Sequence, residues 1–224
     1  MGSILVVAAH PDDEVLGCGG YIAARARNGD DVSVAFISDG VTSRINNKSQ
    51  LEIEARRRSA RHAADVLGIK NISFGDFPDN KLDTVPILEV IKHIETVILN
   101  TNPSIILTHF GGDLNVDHRI VNQAVITACR PMSTQSVKQI MFFEVPSSTE
   151  WQVPLEDEAF VPNWYENIST TLTVKVEALA AYSMELREWP HPRSIKAVEH
   201  LAHWRGATCG VDAAEGFVLG RRTP

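Results

Sequence analysis

Long apolar runs are missing from this 224-residue chain, and a membrane-spanning helix of about 20 residues is therefore not expected. The first apolar stretch, Ile4 to Ala9, has no basic segment before it and stops at His10 and Pro11, unlike a signal peptide. Cysteine is scarce. Cys18, Cys129 and Cys209 are odd in number, widely spaced and without a CxxC, which argues against a disulfide framework or a thiolate zinc site and favours a reducing cytoplasm. Basic residues are also in deficit, with 21 Lys and Arg against 28 Asp and Glu and no long basic run, so nucleic acid is not an expected partner. What remains is a mildly acidic chain, 44% hydrophobic, long enough to bury one sizeable core.

Apolar patterning divides the chain at about residue 150. Before it, Ile4–Ala9, Asp31–Ser38, Ile72–Gly75, Ser104–His109 and Gln139–Val145 are short, apolar and bounded by turn residues, and read as strands. Gly19–Asn28, Gln50–Leu67, Thr84–Leu99 and Asp117–Cys129 carry helical spacing between them. This alternation predicts an α/β fold: a mostly parallel, Rossmann-like sheet of order 3-2-1-4-5 with helices on both faces. Residues 151–224, punctuated by Pro154, Pro162, Pro190 and Pro192, carry helical pieces at Thr173–Leu186 and Ser194–Trp204 and a short apolar tail, Phe217–Leu219. They read as an extension of the 1–150 core within one domain, completing its pocket, and their apolar residues offer an interface for a homo-oligomer.

The chemistry gathers after two strands. His10-Pro11-Asp12-Asp13-Glu14 follows the first, and so dense a charge beside an apolar strand is costly unless a cation offsets it. Helix capping needs only one of those carboxylates. A second cluster, Asp113 to Arg119, follows the fourth strand, which ends at His109; Asp117 could cap the next helix and His109 could be a core histidine. With strands one and four adjacent at the switch point of the sheet, both clusters face one crevice. His10, Asp13 and His118 then form a two-His, one-carboxylate set with room for water, and Asp12 is placed as a general base. Gly17-Cys18-Gly19-Gly20 imitates a dinucleotide fingerprint, but its third motif position falls on Ile22 and three acids stand where a pyrophosphate must approach.

Ala9-His10-Pro11-Asp12-Asp13-Glu14 with the later Asp117-His118 closely resembles the PIG-L (LmbE-like) family of metal-dependent N-deacetylases. Ser38-Asp39-Gly40, Arg56, Pro78-Asp79-Asn80, His191-Pro192-Arg193-Ser194 and Ala214-Glu215 support the resemblance along most of the chain. It implies a metal-dependent hydrolase, usually with Zn(II) and with Fe(II) also suited to this ligand set, removing an N-acetyl group from an amino sugar or sugar conjugate. By the resemblance, His10, Asp13 and His118 match the metal ligands, Asp12 the base, and Arg56 and Asp79 positions that hold sugar hydroxyls or neighbouring groups. Several members carry a His three residues before the second metal His, where this chain has Asn115, which can donate to an oxyanion but cannot supply a proton. His191 and His109 are the candidates for that proton, unless Asp12 returns its own. Asp117 is expected to orient a histidine, Arg193 and Arg205 to meet an anionic part of the substrate or else to form structural salt bridges with Glu185, Glu199 or Glu215, and His109 to line the substrate site. Tyr182, Trp151, Trp164 and Trp204 could stack on a sugar or fill the core, and most of them are expected in the core. An amidase acting on another N-acyl conjugate and a non-catalytic sugar-binding protein are the competing readings.

Overall fold

The computed structural model describes residues 2–40, 50–153 and 159–224, so that Pro154 lies outside the described residues. Strands β1 (Ser3–Ala8), β2 (Asp31–Ser38), β3 (Asn71–Phe77), β4 (Ile105–His109) and β5 (Gln139–Phe143) run parallel in the order 3-2-1-4-5, as expected. Burial of β1 on both faces explains its unbroken apolar run. Ile4, Val6 and Ala8 enter one core, and Leu5 and Val7 enter the other, following the two-residue period of a strand. Helices α1 (Asp13–Arg27) and α2 (Gln50–Leu67) supply Tyr21, Ile22, Ala63 and Leu67 to the first core. Helices α3 (Ile87–Thr101) and α4 (Val116–Ala128) supply Ile91, Ile94, Val121 and Val125 to the second.

The C-terminal third departs from expectation. Besides helices α5 (Leu172–Ala180) and α6 (Ile195–Cys209), it contributes strands β6 (Trp164–Asn167) and β7 (Ala214–Arg222), which are antiparallel and extend the same sheet beyond β5. The apolar tail at Phe217–Leu219 is thus the middle of a nine-residue strand, disguised by Gly216, Gly220 and two arginines. Of the large aromatics, Tyr182 is buried, whereas Trp151 and Trp204 are exposed, contrary to a core role.

Helix α1 is kinked at Cys18 (φ -149°, ψ 23°). The kink divides a first turn bearing the acidic motif from the helix expected at Gly19. The glycines here serve packing: a Cβ on Gly17 would lie 2.3 Å from the Phe143 ring. At the kink, the backbone N–H groups of Gly20 and Tyr21 donate to Glu215 (2.9 and 2.7 Å), whose carboxylate also meets Lys175 Nζ at 2.6 Å. Lys175 further donates to the Leu16 carbonyl at 2.9 Å. Both charged partners are buried, so Lys175→Ala, which strands the Glu215 charge, is expected to destabilise the fold by about 3–5 kcal/mol. Urea unfolding would register this as a lower midpoint; an unchanged midpoint would show that the pair adds nothing.

Candidate active site

The carboxyl ends of β1 and β4 bring the two motifs together. Asp13 Oδ2 lies 3.2 Å from His10 Nδ1 and 3.3 Å from His118 Nε2. Bonds of about 2.0–2.1 Å to a tetrahedral cation place neighbouring ligand atoms about 3.3 Å apart, which these spacings match. Asp13 Oδ1 and His118 Nε2 are moreover buried without a hydrogen-bond partner among the described residues, a costly state that a cation would relieve.

Each of these histidines is backed by carboxylates on its other nitrogen. His118 Nδ1 lies 3.1 Å from Asp113, and His10 Nε2 lies 3.0 Å from Asp117 and 3.1 Å from Asp79. Such partners fix ring orientation and raise ligand basicity. Burial opposes a proton on His118, but the Asp13 charge and the bond to Asp113 outweigh it, raising its pKa to about 9. His10 is likewise raised, against its burial, by Asp117, Asp13 and Asp79. The field that attracts a proton to these rings also attracts a metal cation. Asp113 is lowered to about 2 because its bond to His118 and those from Ser148 and Thr149 outweigh burial.

His10, Asp79 and Asp117 form a second cluster of metal-ligating types, but it is already engaged. Asp117 accepts from the backbone N–H groups of Asn80 (2.7 Å) and Leu82 (3.0 Å), and Asp79 accepts from Asn80 Nδ2 at 3.2 Å. Asn115, rather than Asp117, caps α4: its Oδ1 accepts from Asp117 N at 2.8 Å while its Nδ2 donates to Asn80 Oδ1 at 3.0 Å. The loop after β3 is thereby tied to the start of α4.

Asp12 occupies the N-cap position of α1 without a side-chain capping bond. Its φ of 116° is strained for a residue with a Cβ, at a cost of about 1–3 kcal/mol. Glu14 accepts from Asp12 N at 3.0 Å and from Tyr182 OH at 2.6 Å, while Arg56 donates to the Pro11 carbonyl through Nε and Nη2 (3.1 and 2.7 Å). Burial lifts Glu14 to about 8. Held in this way, Asp12 meets Arg193 Nη1 through Oδ2 (3.1 Å), while Oδ1 is buried and has no hydrogen-bond partner among the described residues. A polar cleft of about 90 Å³ is lined by residues that include His10, Asp12, Arg56, Asp79, Asn115 and Arg193, with room for about three waters.

The family model for GlcNAc-PI de-N-acetylase, PIG-L, matches residues 5–129, the span that carries both motifs. The chain belongs to the PIG-L family. Among its relatives, the uncharacterized deacetylase YaiS of Escherichia coli is 30% identical over 79% of this chain and 88% of its own. The diacetylchitobiose deacetylase of Thermococcus kodakarensis is 35% identical over 96% of this chain and 81% of its own. GalB, the 4-carboxy-2-hydroxymuconate hydratase of Pseudomonas putida, superposes with a TM-score of 0.77 over 100% of this chain and 98% of its own at 23% identity, a likeness of fold alone.

Two histidines differ in placement from the rest. His109 is fully buried; its Nε2 accepts from Ala9 N at 2.8 Å, its ring stacks on His118 with centroids 3.9 Å apart, and burial and His118 hold it well below the usual histidine range. His191 is outside the cleft lining but beside Arg193, whose backbone N–H donates to His191 Nδ1 at 3.1 Å. Sequence reasoning assigned no role to Asp113, Glu14, Ser148 or Thr149. Asp113 sits within the second motif, yet its anchors, Ser148 Oγ and Thr149 Oγ1, lie 35 and 36 residues away along the chain.

Proposed function

We propose that this chain is a divalent-metal-dependent N-deacetylase of an amino sugar or sugar conjugate. The observation that carries the reading is Asp12 Oδ1, without a partner among the described residues and held beside a His10, Asp13 and His118 set that fits Zn(II) or Fe(II). Both likenesses reported for deacetylases point the same way. When bound, the metal supplies Lewis acidity, polarising the amide carbonyl and lowering the pKa of water from 15.7 towards about 7.

Asp12 takes a proton from the attacking water, and Arg193 and Arg56 fix the direction of its carboxylate. We assign the oxyanion donor to His191, which stands beside the cleft rather than in its lining: with Nδ1 accepting the Arg193 N–H, Nε2 is the ring atom left to donate. Asp12 then returns its proton to the departing amine. Asp117, Asp113 and Asn115 position the histidines and the loop at 79–82. Arg56 and Asp79 present the polar wall that meets sugar hydroxyls, with Arg193 nearest any anionic group.

Three free thiols fit a reducing cytoplasm, and no helix among the described residues is long and apolar enough to cross a membrane. Exposed Val161, Met184 and Trp204 in the C-terminal third supply the surface a homo-oligomer would bury. The reading is tested by acetate release from a panel of N-acetylated sugars, nucleotide sugars and thiol conjugates; metal-loaded protein silent on all of them contradicts it. His191→Ala is expected to lower kcat about 10²-fold, with partial recovery in His191→Gln, and full turnover in His191→Ala would remove it from the mechanism.

A further inference from the structure

We propose that Glu14 and Tyr182 are positioning residues for the general base: together they clamp the peptide plane between Pro11 and Asp12 in a strained orientation on which turnover depends. The inference rests on the deacetylase reading, from which it takes Asp12 as the base.

The Pro11 carbonyl and the Asp12 N–H belong to one planar peptide unit, and that unit is held at both ends. Arg56 donates to the carbonyl through Nε and Nη2, at 3.1 and 2.7 Å, and Glu14 Oε2 accepts the N–H at 3.0 Å. Behind Glu14, Tyr182 OH donates to Oε1 at 2.6 Å, so both carboxylate oxygens are engaged. Glu14 and Tyr182 are buried, which strengthens these bonds and raises the cost of breaking them. On the far side of the same Cα, the Asp12 carbonyl accepts from the N–H groups of Val15 and Leu16, at 3.1 and 2.9 Å. The base carboxylate therefore leaves a backbone fixed in both directions.

Starting a helix does not require this arrangement. An N-cap residue ordinarily takes β-region backbone and caps through its side chain, whereas Asp12 has φ 116° and ψ -26° and makes no side-chain capping bond. Half a turn of the Pro11–Asp12 plane would carry φ from 116° to about -64°, which with the present ψ is right-handed helical backbone open to any residue. The relaxed state is thus one peptide flip away, and the clamp opposes it: after a flip, carbonyl would face carboxylate at Glu14 and N–H would face guanidinium at Arg56. The flip would also remove the carbonyl that seats Arg56, whose Nη2 lies 3.5 Å from Asp12 Oδ2. Support for the base runs from Tyr182 through Glu14 and the peptide plane to Arg56, and joins the C-terminal third to the first motif across 168 residues.

The test combines a crystal structure of metal-loaded Glu14→Leu with its kinetics of acetate release, since leucine keeps similar bulk and removes both acceptors. Asp12 is expected to relax to negative φ, and kcat to fall about 10²-fold with KM and metal content unchanged, as for a misplaced catalytic group. Glu14→Gln, which can still accept the Asp12 N–H and donate to the Tyr182 oxygen, is expected to keep the positive φ and recover most of the turnover. Tyr182→Phe is expected to fall between the two, and carries the same comparison if Glu14→Leu does not fold. In an Asp12→Asn background, Glu14→Leu is expected to add no further loss, whereas general structural damage would multiply the two losses. A positive φ retained at Asp12 in Glu14→Leu, wild-type kcat in that variant, or multiplied losses in the double variant overturns the proposal. Wild-type protein silent on every acylated sugar would reject the deacetylase reading, while the Asp12 backbone in Glu14→Leu would still decide the clamp.

Discussion

Replacing Asp12 by Asn is expected to lower kcat about 10³-fold while metal content stays at the wild-type level. The carboxylate at this position is the group able to accept a proton from water, and a positioned general base contributes about 10²–10⁴-fold. Asn is nearly the same size, keeps an acceptor for Arg193, and tolerates a positive φ better than most residues, so the strained turn survives the change. Metal binding is spared because the set with matched spacings is His10, Asp13 and His118. Steady-state kinetics together with elemental analysis checks both halves. Full activity in Asp12→Asn would remove it as the base, and loss of metal would make it a ligand.

Asp113→Ala is expected to weaken metal affinity by about 10–100-fold without removing any ligand. Asp113 holds His118 through Nδ1 and is itself gripped by Ser148 and Thr149, so its loss frees the imidazole to rotate and removes the charge that makes it basic. Asp113→Asn, which keeps an oxygen facing the ring, is expected to recover part of the affinity. Competition with a chromophoric chelator on folded protein measures the effect. Wild-type affinity in Asp113→Ala would mean that packing alone orients His118, for instance through its stack on His109.

The parallel half of the sheet was legible because its strands are buried on both faces and read as short apolar runs between turn residues. Even α1 was half visible: the expected helix at Gly19 coincides with the part beyond the Cys18 kink. What hid its first turn was the demand of the site, since Asp12 adopts a backbone no propensity favours and Asp13 and Glu14 are buried acids. β6 and β7 were illegible for a different reason. Their stability comes from pairing with β5 and with each other, and the polar residues of Trp164–Asn167 and the glycines of Ala214–Arg222 erase the alternation that marks a half-buried strand.

At the site, motifs close in sequence showed which residue types gather, and the chain order of the sheet showed that they meet. The supporting residues were out of reach because they act across long separations: Tyr182 on Glu14, Arg193 on Asp12, Thr149 on Asp113. The alternative role for Asp117 as a helix cap fell to Asn115, which sits two residues earlier and has the β-region backbone that a cap needs. Arg205, another candidate for an anionic group, is committed to a two-pronged pair with Glu144 at 2.8 Å through both nitrogens.

Removing the metal and returning it tests the central claim most directly. Protein stripped by a chelator and verified by elemental analysis is assayed for acetate release from a substrate that the panel identifies, during titration with Zn(II). The account predicts negligible release from the stripped protein and recovery that saturates near one ion per chain, with Asp12→Asn regaining the ion but not the activity. Full turnover by verified metal-free protein would contradict it.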